Sequence, residues 1–387
     1  MRIIIFGTGN YVTGRGTSQF GTILPAIFES HNTTKIRELI LIATTRKSRD
    51  LAEKKIKKIS KISNIKINYK IILNKKIKSF VKKYKKDSED ATCAIIATPD
   101  HTHYKIAKLC LQNKYHTLVV KPVVNKLSEL KDLIKTADLN NVYGAVEFHK
   151  RFDRQAQIMK DKYVEGFLGT PLYSWTEYSQ RKIVPEKFFK SWVSKNNVFQ
   201  YLGIHYVDLI RFITKAKPIS VMAIGQKKYL KSKNLETDDA IQVIVKWQTK
   251  KKQIFTQTLL LNWIDPKFTT AMSDQKLNFV GTLGRIELDQ KKRGVMAINE
   301  NNYIEEINPD FCRMYQEAGF TKWKGYGIES IKTFIKDTLD LENKKIKKNK
   351  LLEIRPSFEE SIYSTAVLEA ANKSLKKNSS WKKIFIK

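Results

Sequence analysis

The chain predicts an α/β domain with a doubly wound parallel sheet, followed by an α+β domain with a large, mainly antiparallel open sheet. Three observations predict this. Short apolar runs alternate with helix-like stretches as far as Val120, and a glycine pair directly follows the first run. From residue 172 onward, segment after segment alternates apolar with polar residues. Strands alternating with helices imply right-handed βαβ units and parallel pairing. Period-two alternation implies strands with one covered face, the habit of antiparallel sheets. A chain of 387 residues exceeds what one core usually holds. We divide it at 1–123 and 124–387, with C-terminal helices able to pack back on the first domain.

Taken in order, residues 2–6 (RIIIF) read as a buried strand feeding a turn, and 38–44 (ELILIAT) as a second strand. A helix is expected over 50–63 and a strand over 65–72. Residues 93–97 (CAIIA) form a strand, 103–113 a helix and 116–120 (HTLVV) another strand. Beyond Pro122, 127–138 read as helix, 142–147 (VYGAVE) as strand and 153–164 as helix. The alternating segments are LYSWTEYS, SVMAIGQKKYL, AIQVIVKWQ, QIFTQTLLLNW, KLNFVGT and GRIELDQ. Helical periods return over 327–340 and 356–375.

No apolar run is long enough to span a membrane, and the N-terminus lacks the pattern of a secretory signal. Cys93, Cys110 and Cys312 are widely spaced, which suits a reducing compartment and offers no metal-ligand spacing. The expected address is cytoplasmic, with no metal and no membrane partner. The formal charge of +34 could mark a nucleic-acid surface. Yet lysines are spread along the whole chain, and the densest cluster, Lys54 to Lys86, interleaves them with isoleucine, as on solvated faces. No nucleic-acid motif accompanies the charge, so no nucleic-acid partner is expected.

Gly7-Thr8-Gly9-Asn10 follows the first strand. Glycine there permits a tight turn and lets the backbone approach a pyrophosphate, the signature of a Rossmann dinucleotide site. The third fingerprint position is Val12, and Gly14, Gly16 and Gly21 indicate a lengthened loop before the helix. The second strand ends in Thr44-Thr45-Arg46-Lys47-Ser48-Arg49 instead of the acid that binds a ribose 2′-hydroxyl. Arg and Ser can hydrogen-bond a 2′-phosphate, so NADP is favoured, with NAD the alternative. Thr98, Pro99 and His103 follow a strand, and Lys121 stands at the end of another, where open α/β sheets bind ligands.

The run Ile96-Ala97-Thr98-Pro99-Asp100-His101-Thr102-His103, Lys121-Pro122 with LSELKDL after it, Phe148-His149-Lys150-Arg151-Phe152-Asp153 and Gly203-Ile204-His205-Tyr206-Val207-Asp208 resembles a family pattern. So do Gly281 to Leu288 and Arg355 to Ala370. Together they resemble the glucose–fructose oxidoreductase and inositol dehydrogenase (Gfo/Idh/MocA) family over nearly the whole chain. The resemblance implies hydride transfer between a nicotinamide and a hydroxyl or keto carbon of a sugar, cyclitol or sugar derivative. It implies that Lys121 lies near the reacting hydroxyl, that His205 is the acid/base and that Asp208 supports it. It further implies a homodimer or homotetramer formed through the open sheet. A histidine can take the hydroxyl proton while a lysine stabilises alkoxide charge.

Two departures stand out. Val120 replaces the glutamate of the family's Glu-Lys-Pro, and Tyr201 stands where relatives carry an aspartate four residues before the histidine. Tyr201 is either a proton-transfer residue or packing. His149 and Arg151, with Lys150, either line a substrate cleft or are solvated turn residues. His101 reads as a bystander. Asn262 to Pro266 and Ser273 to Gln275 either bound the cleft or form turns and contacts between subunits. The rival reading is a non-catalytic nucleotide-binding regulator with the same fold.

Overall fold

A computed structural model describes residues 1–73, 81, 91–300 and 303–386. Much of the Lys54–Lys86 cluster beyond Leu73 lies outside the described residues. The chain forms two compact units. The first comprises Met1–Val124, Ser128–Phe152 and Asp310–Ser361. The second comprises Asn125–Leu127, Asp153–Pro309 and Ile362–Lys387.

The first unit is built on strands β1 (Arg2–Phe6), β2 (Glu38–Ala43), β3 (Tyr69–Leu73), β4 (Thr92–Ile96), β5 (His116–Val120) and β6 (Gly144–Glu147). They form one six-stranded sheet in the order β3-β2-β1-β4-β5-β6, every pair parallel. β1, β2 and β4 are buried along their whole length, because helices cover both faces of such a sheet. The helices are α1 (Asn10–Thr13), α2 (Ile23–Thr34), α3 (Arg46–Ser63), α4 (His103–Gln112) and α5 (Leu127–Leu139). The glycine-rich segment is indeed lengthened: α1 is one turn, and the first long helix begins only at Ile23.

α3 starts earlier than its apolar period suggests. Thr45 and Ser48 form a reciprocal capping box that satisfies the free N–H groups of the first turn, worth about 1 kcal/mol. The helix expected over 356–375 begins only at Ile362. Arg355 precedes a proline and is extended, since the proline ring crowds a helical predecessor. The segment after it pairs with the outer edge of β6 through an Ala145–Ser357 bridge and a Val146 N–H to Pro356 bond of 2.7 Å. Gly144 is required there, because a Cβ would collide with the Phe358 ring. The helix Tyr326–Glu342 packs on α2 and completes the unit's core with Ile328, Ile331, Phe334 and Ile335.

The second unit carries α6 (Arg154–Val164), α7 (Ile204–Thr214) and strands β7 (Pro171–Arg181), β8 (Lys217–Gln226), β9 (Ala240–Gln248), β10 (Ile254–Asp265), β11 (Ser273–Gly281) and β12 (Arg285–Asp289). With Lys382–Lys383 they form a seven-stranded sheet, order β12-β11-β7-β10-β9-β8 and then the terminal strand. All its pairs are antiparallel except β7 with β10. The expected mainly antiparallel sheet is therefore present. The segment SVMAIGQKKYL leaves the strand at Gln226, and its end enters a short helix, Tyr229–Ser232. Asp239 imposes that turn by accepting hydrogen bonds from the backbone N–H groups of Lys228, Tyr229 and Leu230 at 2.6–2.7 Å.

One face of this sheet is covered by α7 and the helix Ile362–Lys376. The register aligns Tyr173, Ile254, Leu260 and Ile224 on a single face, and each is exposed. Among the described residues no helix is long and apolar enough to cross a membrane.

Candidate functional site

In the first unit, the loops after β1, β2, β4, β5 and β6 all leave the carboxyl edge of one parallel sheet. Strand order reverses between β1 and β4, the topological switch point beside which open α/β sheets bind ligands. Gly7 sits there at φ +109°, and any Cβ would strike the carbonyl oxygen of Ala97 on the neighbouring β4 loop. A Cβ on Gly9 would meet nothing within 4 Å. The turn is thus tight on one side and open on the other, which fits a dinucleotide pyrophosphate approaching the backbone. Thr8 is buried, whereas Asn10 is exposed.

Thr44, Arg46 and Lys47 follow β2 and are exposed. Ser48 is buried, with its hydroxyl used inside the capping box. Of the basic run, Arg46 and Lys47 are exposed, and the partly exposed Arg49 pairs with Asp50 at 2.9 Å.

On the β4 loop, the Thr98 hydroxyl meets that of Thr102 at 2.7 Å, and Thr102 also donates to the Pro99 carbonyl at 2.7 Å. His103 is fully buried. Its Nδ1 lies 2.9 Å from the Pro122 carbonyl oxygen and its Nε2 lies 2.8 Å from that of Thr98. The ring consequently ties the β4 loop to the β5 loop. Lys121 leads that second loop, followed by a cis peptide bond to Pro122. Burial pulls its ammonium down to about 8, against the opposing pull of the Asp100 and Glu147 carboxylates. A lysine so poised can lose or gain a proton near neutral pH, unlike an ordinary surface lysine.

After β6, His149 opens a short turn, His149–Phe152. Its Nδ1 lies 3.1 Å from both carboxylate oxygens of Glu147 and 3.5 Å from the Tyr11 hydroxyl. Lys150 and Arg151 are buried, which removes the reading of a solvated turn for both. The Arg151 charge acts on the buried Tyr143 hydroxyl. Glu147, Asp100 and Tyr11 were not among the expected site residues. An acid closing an otherwise apolar run, VYGAVE, is the signal that marks Glu147.

In the second unit, Tyr201 lies in a wide turn, Phe199–Gly203, that leads into α7. Its ring packs against Phe189, Trp192 and Trp263 at centroid distances of 4.6, 6.3 and 6.0 Å. Of the two readings open for Tyr201, this aromatic nest favours packing. His205 and Asp208 are buried in α7. The same helix is anchored by Tyr206, whose hydroxyl donates to Gln290 at 2.8 Å and whose carbonyl accepts from Gln257 at 3.0 Å. Gln290 in turn donates to Asp153 at 2.6 Å, and Arg293 forms a buried ion pair with that carboxylate.

Asn262 donates to Ser179 at 2.7 Å, and the buried Trp263 indole donates to Gln180 at 3.1 Å. These two residues serve contacts between strands. Burial pushes the Cys93 and Cys312 thiols up to about 12, so neither is a nucleophile at neutral pH.

Residues 1–148 match the GFO/IDH/MocA oxidoreductase family with its NAD-binding Rossmann fold, and residues 156–287 match the family's C-terminal domain. The chain belongs to this family. The protein is therefore an NAD(P)-dependent oxidoreductase. An inositol 2-dehydrogenase of Rhodococcus erythropolis is 24% identical over 249 residues, covering 64% of this chain and 67% of that protein. A UDP-N-acetylglucosamine 3-dehydrogenase of Acidithiobacillus ferrooxidans is 31% identical over 130 residues, 34% of this chain and 38% of that protein. The fold matches that of a scyllo-inositol dehydrogenase from Lactobacillus casei, with a TM-score of 0.66 at 16% identity over 99% of this chain and 98% of that one. It also matches a myo-inositol 2-dehydrogenase from Lactobacillus plantarum, TM-score 0.68 at 14% identity, over 99% of both chains.

Proposed function

We propose that this family member transfers hydride between a nicotinamide cofactor and a ring carbon of a cyclitol or sugar derivative. The observation that carries the reading is Lys121, set at the carboxyl edge of the sheet that holds the glycine turn, with its proton affinity tuned to the neutral range. Relatives named as inositol and UDP-N-acetylglucosamine dehydrogenases support the substrate class. The nicotinamide, when bound, supplies the two-electron acceptor or donor. The chain's own part is to hold the dinucleotide at Gly7–Asn10 and Thr98–Pro99 and to move the hydroxyl proton. Lys121 steadies charge on the substrate oxygen, and His205 is the proposed acid/base, with Asp208 supporting it. His103 and Arg151 act from burial, His103 by joining two loops. His149 is the proposed contact to substrate hydroxyls.

The exposed Arg46 and Lys47 favour NADP, since cations there would pair with a 2′-phosphate. The open apolar face bearing Tyr173, Ile254, Leu260 and Ile224 is proposed to be covered by a second copy of the chain. Light scattering at micromolar concentration tests this, and a monomer defeats it. The aromatic nest around Tyr201 favours one competing reading, a regulator that binds cofactor without turnover.

Fluorescence titration with NADPH and NADH, followed by a polyol and sugar screen, separates these readings. Turnover of any polyol or sugar supports the dehydrogenase. Cofactor binding without turnover across the panel supports the regulator. Tighter NADH binding overturns the assignment of Arg46.

A further inference from the structure

Val120 pairs directly with Glu147 across the parallel β5–β6 ladder. Lys121 is thus one residue beyond the rung whose partner strand ends in a carboxylate. Glu147 is 2% exposed, yet it is well served with hydrogen bonds: Ser330 Oγ donates to Oε1 at 2.7 Å, and His149 Nδ1 lies 3.1 Å from both oxygens. A carboxylate only accepts, so the proton of the neutral imidazole sits on Nδ1 and the lone pair on Nε2. The His149 ring is held in place by Phe311 and Tyr326, with centroids 5.2 and 5.7 Å away. Two aromatic walls and a bidentate acceptor leave it little rotational freedom.

We propose that Glu147 is a positioning residue shared by Lys121 and His149, fixing the tautomer and ring orientation of the histidine and placing a counter-charge beside the lysine. This rests on the dehydrogenase reading above. It also answers the departure at position 120: the carboxylate missing there is present on the adjacent strand, directly opposite. Asp100 and Glu147 are among the charged groups that face Lys121, and both favour its ammonium. Glu147, Tyr11 and Tyr326 are among those that face His149.

The test uses the full chain with two variants, Glu147→Gln and Glu147→Ala. Long-range proton–nitrogen NMR on the wild type, recorded at a pH where the ring is neutral and assigned by loss of the signal in His149→Asn, is expected to show the tautomer protonated on Nδ1. In Glu147→Ala that tautomer should lose its dominance. A wild-type ring protonated on Nε2, or an unchanged tautomer in Glu147→Ala, overturns the proposal. This readout does not depend on turnover, so it decides the point even if no polyol is oxidised.

With a working substrate, Glu147→Gln should move the inflection of kcat/KM that belongs to Lys121 to lower pH, because a charge that favours the ammonium is gone. It should also lower kcat/KM roughly tenfold or more. NADPH binding should be unchanged, which shows that the unit remains folded. An inflection that stays in place overturns the link to Lys121, and absence of turnover in the wild type overturns the dehydrogenase reading instead.

Discussion

The carboxyl edge of the parallel sheet and the turn that leads into α7 are built in opposite ways. At the first, ionisable groups are crowded together: the Asp100 and Glu147 carboxylates oppose the effect of burial on Lys121, and Glu147 orients His149. At the second, Tyr201 lies among Phe189, Trp192 and Trp263, and His205 stands in a helix anchored by uncharged hydrogen bonds to Gln257 and Gln290. The comparison teaches where residue identity is constrained. Changing a charge at the sheet edge alters the chemistry of its neighbours, whereas a change in the aromatic nest mostly alters packing.

Lys121→Met should break the first region most severely. Loss of kcat by about 10²–10⁴-fold is expected with cofactor binding retained. In the wild type the lysine is charged below about pH 8 and neutral above it, so kcat/KM should show an inflection there that the variant lacks. A pH–rate profile checks both points.

Gly7→Val should come next. A side chain at φ +109° that collides with Ala97 costs about 1–3 kcal/mol in strain alone. Titration should show NADPH affinity falling at least about tenfold, and a thermal melt should show a lower Tm. Arg46→Ala is expected to weaken NADPH binding by about tenfold, the scale of one charge-assisted hydrogen bond, and to leave NADH binding unchanged. Paired fluorescence titrations measure that ratio.

The smallest effect sharpens the comparison from the other side. Tyr201→Phe keeps the ring and removes only the hydroxyl, so kcat should stay within about threefold if the residue packs and does not transfer protons. A fall of about a hundredfold would return Tyr201 to the proton path.

Legibility followed the same division. The β1 turn, the β4 loop and Lys121 were readable because each combines a strand end with residues that a ligand site needs, and they are continuous in sequence. Glu147 was not, because its meaning depends on the rung it shares with Val120 and on Ser330, which is remote in sequence. α2 gave no clear period, since Ile23 to Phe28 are all buried between the sheet and other helices. The helical period over 356–361 misled because the apolar Phe358 serves the edge of β6 instead of a helix face.

By itself, the sequence determined the two kinds of sheet, the glycine turn and the lysine at a strand end, because hydrophobic period and glycine conformation are local properties. Tertiary structure alone decided which charges meet. It set Glu147 opposite Val120, bound His103 to two loops and withdrew Ser48 into a helix cap. Such roles depend on register, burial and distance between segments far apart in the chain, which no local pattern records.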